Sequence, residues 1–181
     1  DTTSLGDRMK GYEYITRTYL TRRMPCIIRI DGRAFSNLTK GMERPFDSKF
    51  AKIMKETMGF ICSEISGCKI GYWQSDEISL LLTDYDNFNT EPWFSKNIQK
   101  MVSISASLAT AYFGKEYNKV FSSPFSRQKY PVFDSRVFIL PKEEVTNYFL
   151  WRQQDASKNS ISMLAQSKFS HKQLHGKNGK Q

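Results

Sequence analysis

The sequence predicts a mixed α/β (α+β) domain of ferredoxin-like order, and three observations predict it. Along the chain the segments read strand, helix, strand, strand, helix, strand, the order of a split βαβ fold. Two of the strands, Cys26-Ile27-Ile28-Arg29-Ile30-Asp31 and Ile78-Ser79-Leu80-Leu81-Leu82, are rich in β-branched residues and leucine, as buried strands are. The second and third strands flank a Ser75-Asp76 turn, and such residues favour tight reversals.

Each element has its own signal. Leu5, Met9, Tyr12, Ile15, Tyr19 and Leu20 recur at helical spacing across residues 5–23, with Arg and Lys between them, which predicts an amphipathic helix. The first strand covers about 26–31. Asp47 or Ser48 can cap a helix whose apolar positions are Phe50, Ile53, Met54, Thr57, Ile61 and Ile65, stopped at Gly67. Ser95 is the expected cap of the next helix, which sets Ile98, Met101, Val102, Ser105, Leu108, Ala109 and Tyr112 on one face. The fourth strand runs from Val132 to Leu140, and Pro141 opens a final helix through Val145, Tyr148 and Phe149. At 181 residues the chain suits one compact domain with a real core. Residues 1–140, with the N-terminal helix, are expected to form the body of that domain, and 141–181 a helical extension of it.

Composition narrows the class. Hydrophobic content of 39% with 14% aromatics is globular. A net charge of +9, from 27 basic and 18 acidic residues, suits either an anionic macromolecular partner or simple solubility. Cys26, Cys62 and Cys68 are odd in number and lack C-x-x-C spacing, which argues against a disulfide framework or a zinc site. No apolar run reaches transmembrane length, and the charged start Asp7-Arg8-Met9-Lys10 is unlike a signal peptide, so a cytoplasmic protein without a membrane partner is expected. His171 and His175 stand four apart with no third ligand nearby. The basic group Lys168, His171, Lys172, Lys177 and Lys180 suits RNA phosphates or a solvated tail equally. Trp73, Trp93 and Trp151 read as core or interface residues.

The candidate chemistry lies at two strand ends. Asp31 closes the first strand, and Asp76 with Glu77 opens the third. Local sequence allows a pair of ordinary turns or a two-metal phosphoryl-transfer site. The ferredoxin-like order favours the second reading. In that fold the first and third strands are antiparallel neighbours, so Asp31 and Asp76 become adjacent across 45 residues of sequence. Glu77 alternates away from Asp76 in a regular strand and is expected to support the site rather than ligate.

Several segments resemble the tRNA-His guanylyltransferase superfamily. They are Gly6-Asp7-Arg8-Met9-Lys10 with Tyr12-Glu13, Arg29-Ile30-Asp31-Gly32-Arg33-Ala34-Phe35, Gln74-Ser75-Asp76-Glu77, Phe133-Asp134-Ser135-Arg136-Val137-Phe138 and Asn147-Tyr148-Phe149-Leu150-Trp151-Arg152-Gln153-Gln154-Asp155-Ala156. The resemblance implies a polymerase-like palm, two Mg²⁺ ions, ATP and GTP as substrates, tRNA as partner and a homotetramer. It implies Asp31, the Gly32 carbonyl and Asp76 as metal ligands. It places nucleotide and triphosphate at Asp31, Gly32, Arg33, Ala34, Phe35, Ser36, Ser75 and Asp76, where Gly32 lets the backbone approach closely. Arg29 and Arg33 can balance phosphate charge or form surface ion pairs. Lys96 matches a lysine that touches triphosphate, with a solvated helix lysine as the alternative. Asp47 matches a position near a second nucleotide, although a helix cap is the stronger reading.

One block departs from the eukaryotic pattern. Where those enzymes carry His-Ile-Asn-Asn-Leu-Tyr-Asn, this chain has Asp155-Ala156-Ser157-Lys158-Asn159-Ser160-Ile161. In this it resembles the bacterial and archaeal Thg1-like proteins, template-dependent 3′–5′ polymerases that repair truncated tRNA 5′ ends. The alternatives are a dedicated tRNA-His guanylyltransferase, a palm-type nucleotide cyclase and a non-catalytic RNA-binding module. The family's chains run on for tens of residues past this point, so Gln181 need not be a natural end.

Overall fold

A computed structural model describes residues 3–121 and 130–176. Lys177 and Lys180, like the side chain of His171, lie outside the described residues. Helix α1 (Ser4–Ile15) is capped by Thr3, whose hydroxyl accepts from the Gly6 N–H at 3.0 Å. It ends earlier than the 5–23 periodicity predicts, because Tyr19 leaves the helical path to form a β-bridge with Asn97. Its apolar residues, Leu5, Met9, Tyr12 and Ile15, are exposed.

Strand β1 (Cys26–Gly32) leads through the short helix α2 (Phe35–Leu38) to α3 (Ser48–Glu64). Asp47 caps α3, its carboxylate accepting from the N–H groups of Lys49 and Phe50 at 3.0 and 2.9 Å. The chain then reverses at Gly67, where φ is +81° and an added Cβ would meet the Thr83 carbonyl oxygen at 2.7 Å. Strands β2 (Cys68–Gln74) and β3 (Glu77–Leu82) form the predicted hairpin around Ser75-Asp76. A 3₁₀ turn (Trp93–Lys96) precedes α4 (Ile98–Phe121). The expected Ser95 cap is not formed: Phe94, Ser95 and Lys96 all have positive φ, and Asn97 caps instead, its Oδ1 accepting from the Lys100 N–H at 2.9 Å. Strand β4 (Phe133–Ile139), the long helix α5 (Glu144–Lys168) and α6 (His171–Leu174) complete the described chain.

The sheet order is β2-β3-β1-β4 with every neighbouring pair antiparallel, as the split βαβ reading requires. Alternation along β1 and β3 sends Ile28, Ile30, Ile78, Leu80 and Leu82 to one face. There they pack with Ile53, Met54 and Ile61 of α3 and with Met101, Ala109 and Phe113 of α4. Each such aliphatic side chain contributes about 1.5–3 kcal/mol on full burial. The opposite face carries Ile27 and Leu81 against Tyr148 of α5, with Phe138, Val145 and Phe149 around them. Among the described residues no helix is long and apolar enough to cross a membrane.

Candidate nucleotide and metal site

The register decides which side chains meet. Asp31 on central β1 pairs with Glu77 of β3 on one side and with Asp134 of β4 on the other. Asp76 sits in the adjoining turn, where Ser75 takes a left-handed conformation with φ of 50°. Two main-chain bonds tie this end together: the Gly32 N–H donates to the Asp76 carbonyl at 3.1 Å, and the Arg33 N–H donates to that of Val132 at 2.8 Å. Four carboxylates therefore gather at one end of the sheet, and like charges facing across strands repel.

The electrostatics record the strain. Burial raises the Asp76 carboxyl above its ordinary value, and the Asp31 charge pushes it the same way against the Ser75 hydroxyl, which lowers it. Burial also raises Glu77, opposed chiefly by the positive charges of Arg152 and Arg29. Among the described residues neither Asp31 nor Asp76 has an ion-pair partner, whereas Glu77 lies 2.9 Å from the Arg152 guanidinium. No three acidic, cysteine or histidine side chains converge on a point among those residues. The donors that the resemblance implies, two carboxylates and the Gly32 carbonyl, are all oxygen, a set that suits Mg²⁺ completing its shell with phosphate and water. Asp76, half-buried and repelled by Asp31, fits such an ion.

Beside this acidic end opens a cavity of about 620 Å³. Ser36, Asp47, Gln74, Ser75 and Asp76 line it from the sheet side and the α2–α3 segment, and Asn159, Ser160 and Met163 line it from α5. Of the predicted nucleotide residues, Phe35, Ser36, Asp47, Ser75 and Asp76 border the cavity, whereas Arg29, Asp31, Gly32, Arg33, Ala34 and Lys96 do not. Phe35 is mainly a core residue, 3% exposed, with ring centroids 5.3 and 4.9 Å from those of Phe113 and Phe133. Its packing explains Gly32: an added Cβ would lie 2.6 Å from the Phe35 ring. Gly32→Ala should therefore cost about 1–3 kcal/mol in urea unfolding by overpacking.

Among the described residues Arg29 makes no ion pair. Its Nε is buried without a hydrogen-bond partner, and its guanidinium carbon lies 6.0 Å from the centre of the Trp151 ring. Lys96 requires a correction. It is 3% exposed and sits at the Cys26 end of the sheet rather than the Asp31 end, its ammonium 3.1 Å from buried Asp84 and donating to the carbonyls of Thr21 and Met24 at 2.9 Å. A lysine spent on these partners is not presented to a triphosphate beside Asp31. Trp73 lines the cavity, and nothing in its sequence context separates it from a core tryptophan. Arg152 lies within a segment that carries the family resemblance, but an arginine in a helical pattern does not announce a buried partner.

The tRNAHis guanylyltransferase (Thg1) family model matches residues 6–141. The chain belongs to this family. The structure of a bacterial tRNA(His) guanylyltransferase (Thg1)-like protein in complex with ATP superposes on this Thg1-family chain with a TM-score of 0.93 at 51% identity, covering 98% of this chain and 76% of the other. A complex of such a bacterial protein with GTP gives 0.86 at 50% identity, covering 91% and 76%. The tRNA(His) guanylyltransferase of Schizosaccharomyces pombe is 31% identical over 156 residues, 84% of this chain and 56% of that protein. The chain spans less than two thirds of the length of the curated relatives it matches.

Proposed function

We propose that this Thg1-family chain is a template-dependent 3′–5′ nucleotidyltransferase that adds nucleotides to the 5′ end of truncated tRNA. The observation that carries the reading is Asp76, which lines the 620 Å³ cavity and lies close enough to Asp31 to be raised by its charge. Bacterial relatives at 51% and 50% identity bind ATP and GTP, which supports those nucleotides as substrates here. Asp31, Asp76 and the Gly32 carbonyl would hold Mg²⁺, two ions in all, which supply acidification of the attacking 3′-hydroxyl and charge neutralisation of the departing pyrophosphate. The chain's own contribution is positional. The β1–β3 ladder fixes the acids, the Ser75 turn presents Asp76 at the cavity mouth, and Ser36 and Ser75 offer hydroxyls to phosphate oxygens. Glu77 remains with Arg152 in support, and Asp47 stays a helix cap on the cavity wall.

Template dependence rests on α5. The block that departs from the eukaryotic pattern, residues 155–161, places Ala156, Asn159 and Ser160 on the cavity wall, so the departure falls where a substrate would be selected. We include α5 in the same domain as the sheet, because the Tyr148 hydroxyl meets Ser79 Oγ at 2.8 Å and Arg152 meets Glu77. The exposed apolar face of α1 supports assembly into a homotetramer, to be checked by sedimentation equilibrium. The odd cysteine count supports a cytoplasmic setting.

The test compares full-length tRNA-His with tRNAs lacking one 5′ nucleotide, under equal ATP, GTP and Mg²⁺. Several truncated tRNAs should each gain the complementary nucleotide, with addition stopping once the acceptor stem is complete. Modification of tRNA-His alone, with G added where no C opposes it, would replace this reading by dedicated guanylylation. Cyclic nucleotide made without RNA would replace it by a cyclase. Binding of tRNA should weaken steeply with salt, the log–log slope counting the phosphates that basic residues neutralise. A flat salt dependence would assign the +9 charge to solubility alone.

A further inference from the structure

Arg152 stands outside the machinery described so far, yet it joins two of its parts. It is 5% exposed, its Nε 2.9 Å from Glu77 Oε1 on β3 and an Nη 2.6 Å from Asp155 Oδ2, one turn further along α5. Its guanidinium carbon lies 4.2 Å from the centre of the Trp151 ring, and that ring lies 5.9 Å from Tyr148. Tyr148 in turn meets Ser79 of β3. Helix and strand are thus fastened at two points, Tyr148 to Ser79 and Arg152 to Glu77. The spacings agree: four helical residues rise about 6 Å, and two strand residues about 7 Å.

The second fastening stands at a boundary. Glu77 faces Asp31 across the ladder, and Asp155 immediately precedes Ala156, the first α5 residue on the cavity wall. Beyond it Asn159, Ser160, Met163 and Gln166 follow at helical spacing along that wall. An apolar contact would tolerate rotation of α5 about its axis, but a buried guanidinium oriented by Asp155 on its own helix and ion-paired with Glu77 on β3 resists it, even though its Nε–H is not aligned on the Glu77 oxygen. A rotation of one residue, about 100°, would turn the Asn159–Ser160 face away from the Ser75–Asp76 turn.

We propose that Arg152 is a positioning residue for nucleotide binding: bridging Glu77 and Asp155, it sets the α5 wall of the cavity against the Ser75–Asp76 turn. The proposal rests on the nucleotide site assigned above. A group that orders a binding wall acts on affinity, whereas general destabilisation lowers the active fraction and leaves KM unchanged.

Arg152→Lys keeps the charge but cannot span both carboxylates, and Asp155→Asn removes one arm at a half-exposed position. Three quantities should be measured on the whole chain: ATP and GTP dissociation constants with Mg²⁺, kcat and KM for extension of a truncated tRNA, and amide exchange across 153–166 without nucleotide. Arg152→Lys should raise Kd and nucleotide KM about tenfold or more, with a smaller change in kcat and faster exchange in α5. Asp155→Asn should move them the same way by less, and it serves alone if Arg152→Lys does not fold. Unchanged Kd and KM in a folded variant, or unchanged α5 exchange, would overturn the positioning role while the wild type still binds nucleotide. A wild type that binds neither ATP nor GTP would instead remove the site reading, and this proposal with it.

Discussion

Asp76→Asn should abolish nucleotide addition while raising the unfolding midpoint of the protein in metal-free buffer at pH 7. The rate loss should be on the order of 10³-fold or more, because the charge removed is one that holds the ions stabilising the transition state. The gain in stability follows from the raised carboxyl of Asp76, caused first by burial and then by the Asp31 charge. An acid whose folded pKa lies above its unfolded value contributes stability that is fully present below the unfolded value, here 3.8, and is lost as pH rises through the folded one. At neutral pH the ionised Asp76 therefore burdens the fold, and asparagine relieves it. The difference in midpoint between wild type and variant should shrink as pH falls toward 4. Adding Mg²⁺ should narrow it from the other side by stabilising only the wild type. Near wild-type turnover in Asp76→Asn would sink the two-metal site.

Lys96→Met should have the largest effect on stability and little on nucleotide affinity. Asp84 is 2% exposed, and its carboxylate lies 3.1 Å from the Lys96 ammonium and accepts at both oxygens from the Arg23 N–H, at 3.0 and 2.9 Å. Removing the lysine leaves a buried charge without its counterion, a loss of about 3–5 kcal/mol in urea unfolding. The folded fraction should retain the wild-type nucleotide KM, because the pair lies at the far end of β1 from Asp31. A raised KM with unchanged stability would return Lys96 to the triphosphate.

What was legible in the sequence follows from how local each cause is. β1 and β3 declare themselves by composition, α3 by its Asp47 cap and Gly67 stop, and the meeting of Asp31 with the Ser75-Asp76 turn by topology alone. The place of Lys96 is not legible, because its side chain is turned to Asp84 by three successive left-handed residues, Phe94 to Lys96, that no propensity forecasts. The same departure displaced the expected cap from Ser95 to Asn97. α5 extends far beyond Phe149 although Ile161 and Leu164 are exposed, so its second half carries no core-facing stripe to recognise. Arg152 stayed hidden because burying an arginine depends on carboxylates 75 positions upstream and three positions downstream, Glu77 and Asp155.

The main-chain ladder that holds Asp31 between Glu77 and Asp134 has a consequence for how such a protein can change over time. The acids are suspended from hydrogen bonds between backbone groups, which side-chain replacement elsewhere does not touch. Apart from Trp73 and Gln74 at the end of β2, the cavity's other surfaces come from the segment 35–51 and from the outer turns of α5, neither of which belongs to that ladder. Mutations that alter which substrate fits can therefore accumulate one at a time without displacing the chemistry. A lineage built on this scaffold is free to trade one nucleic-acid specificity for another while its reaction stays the same.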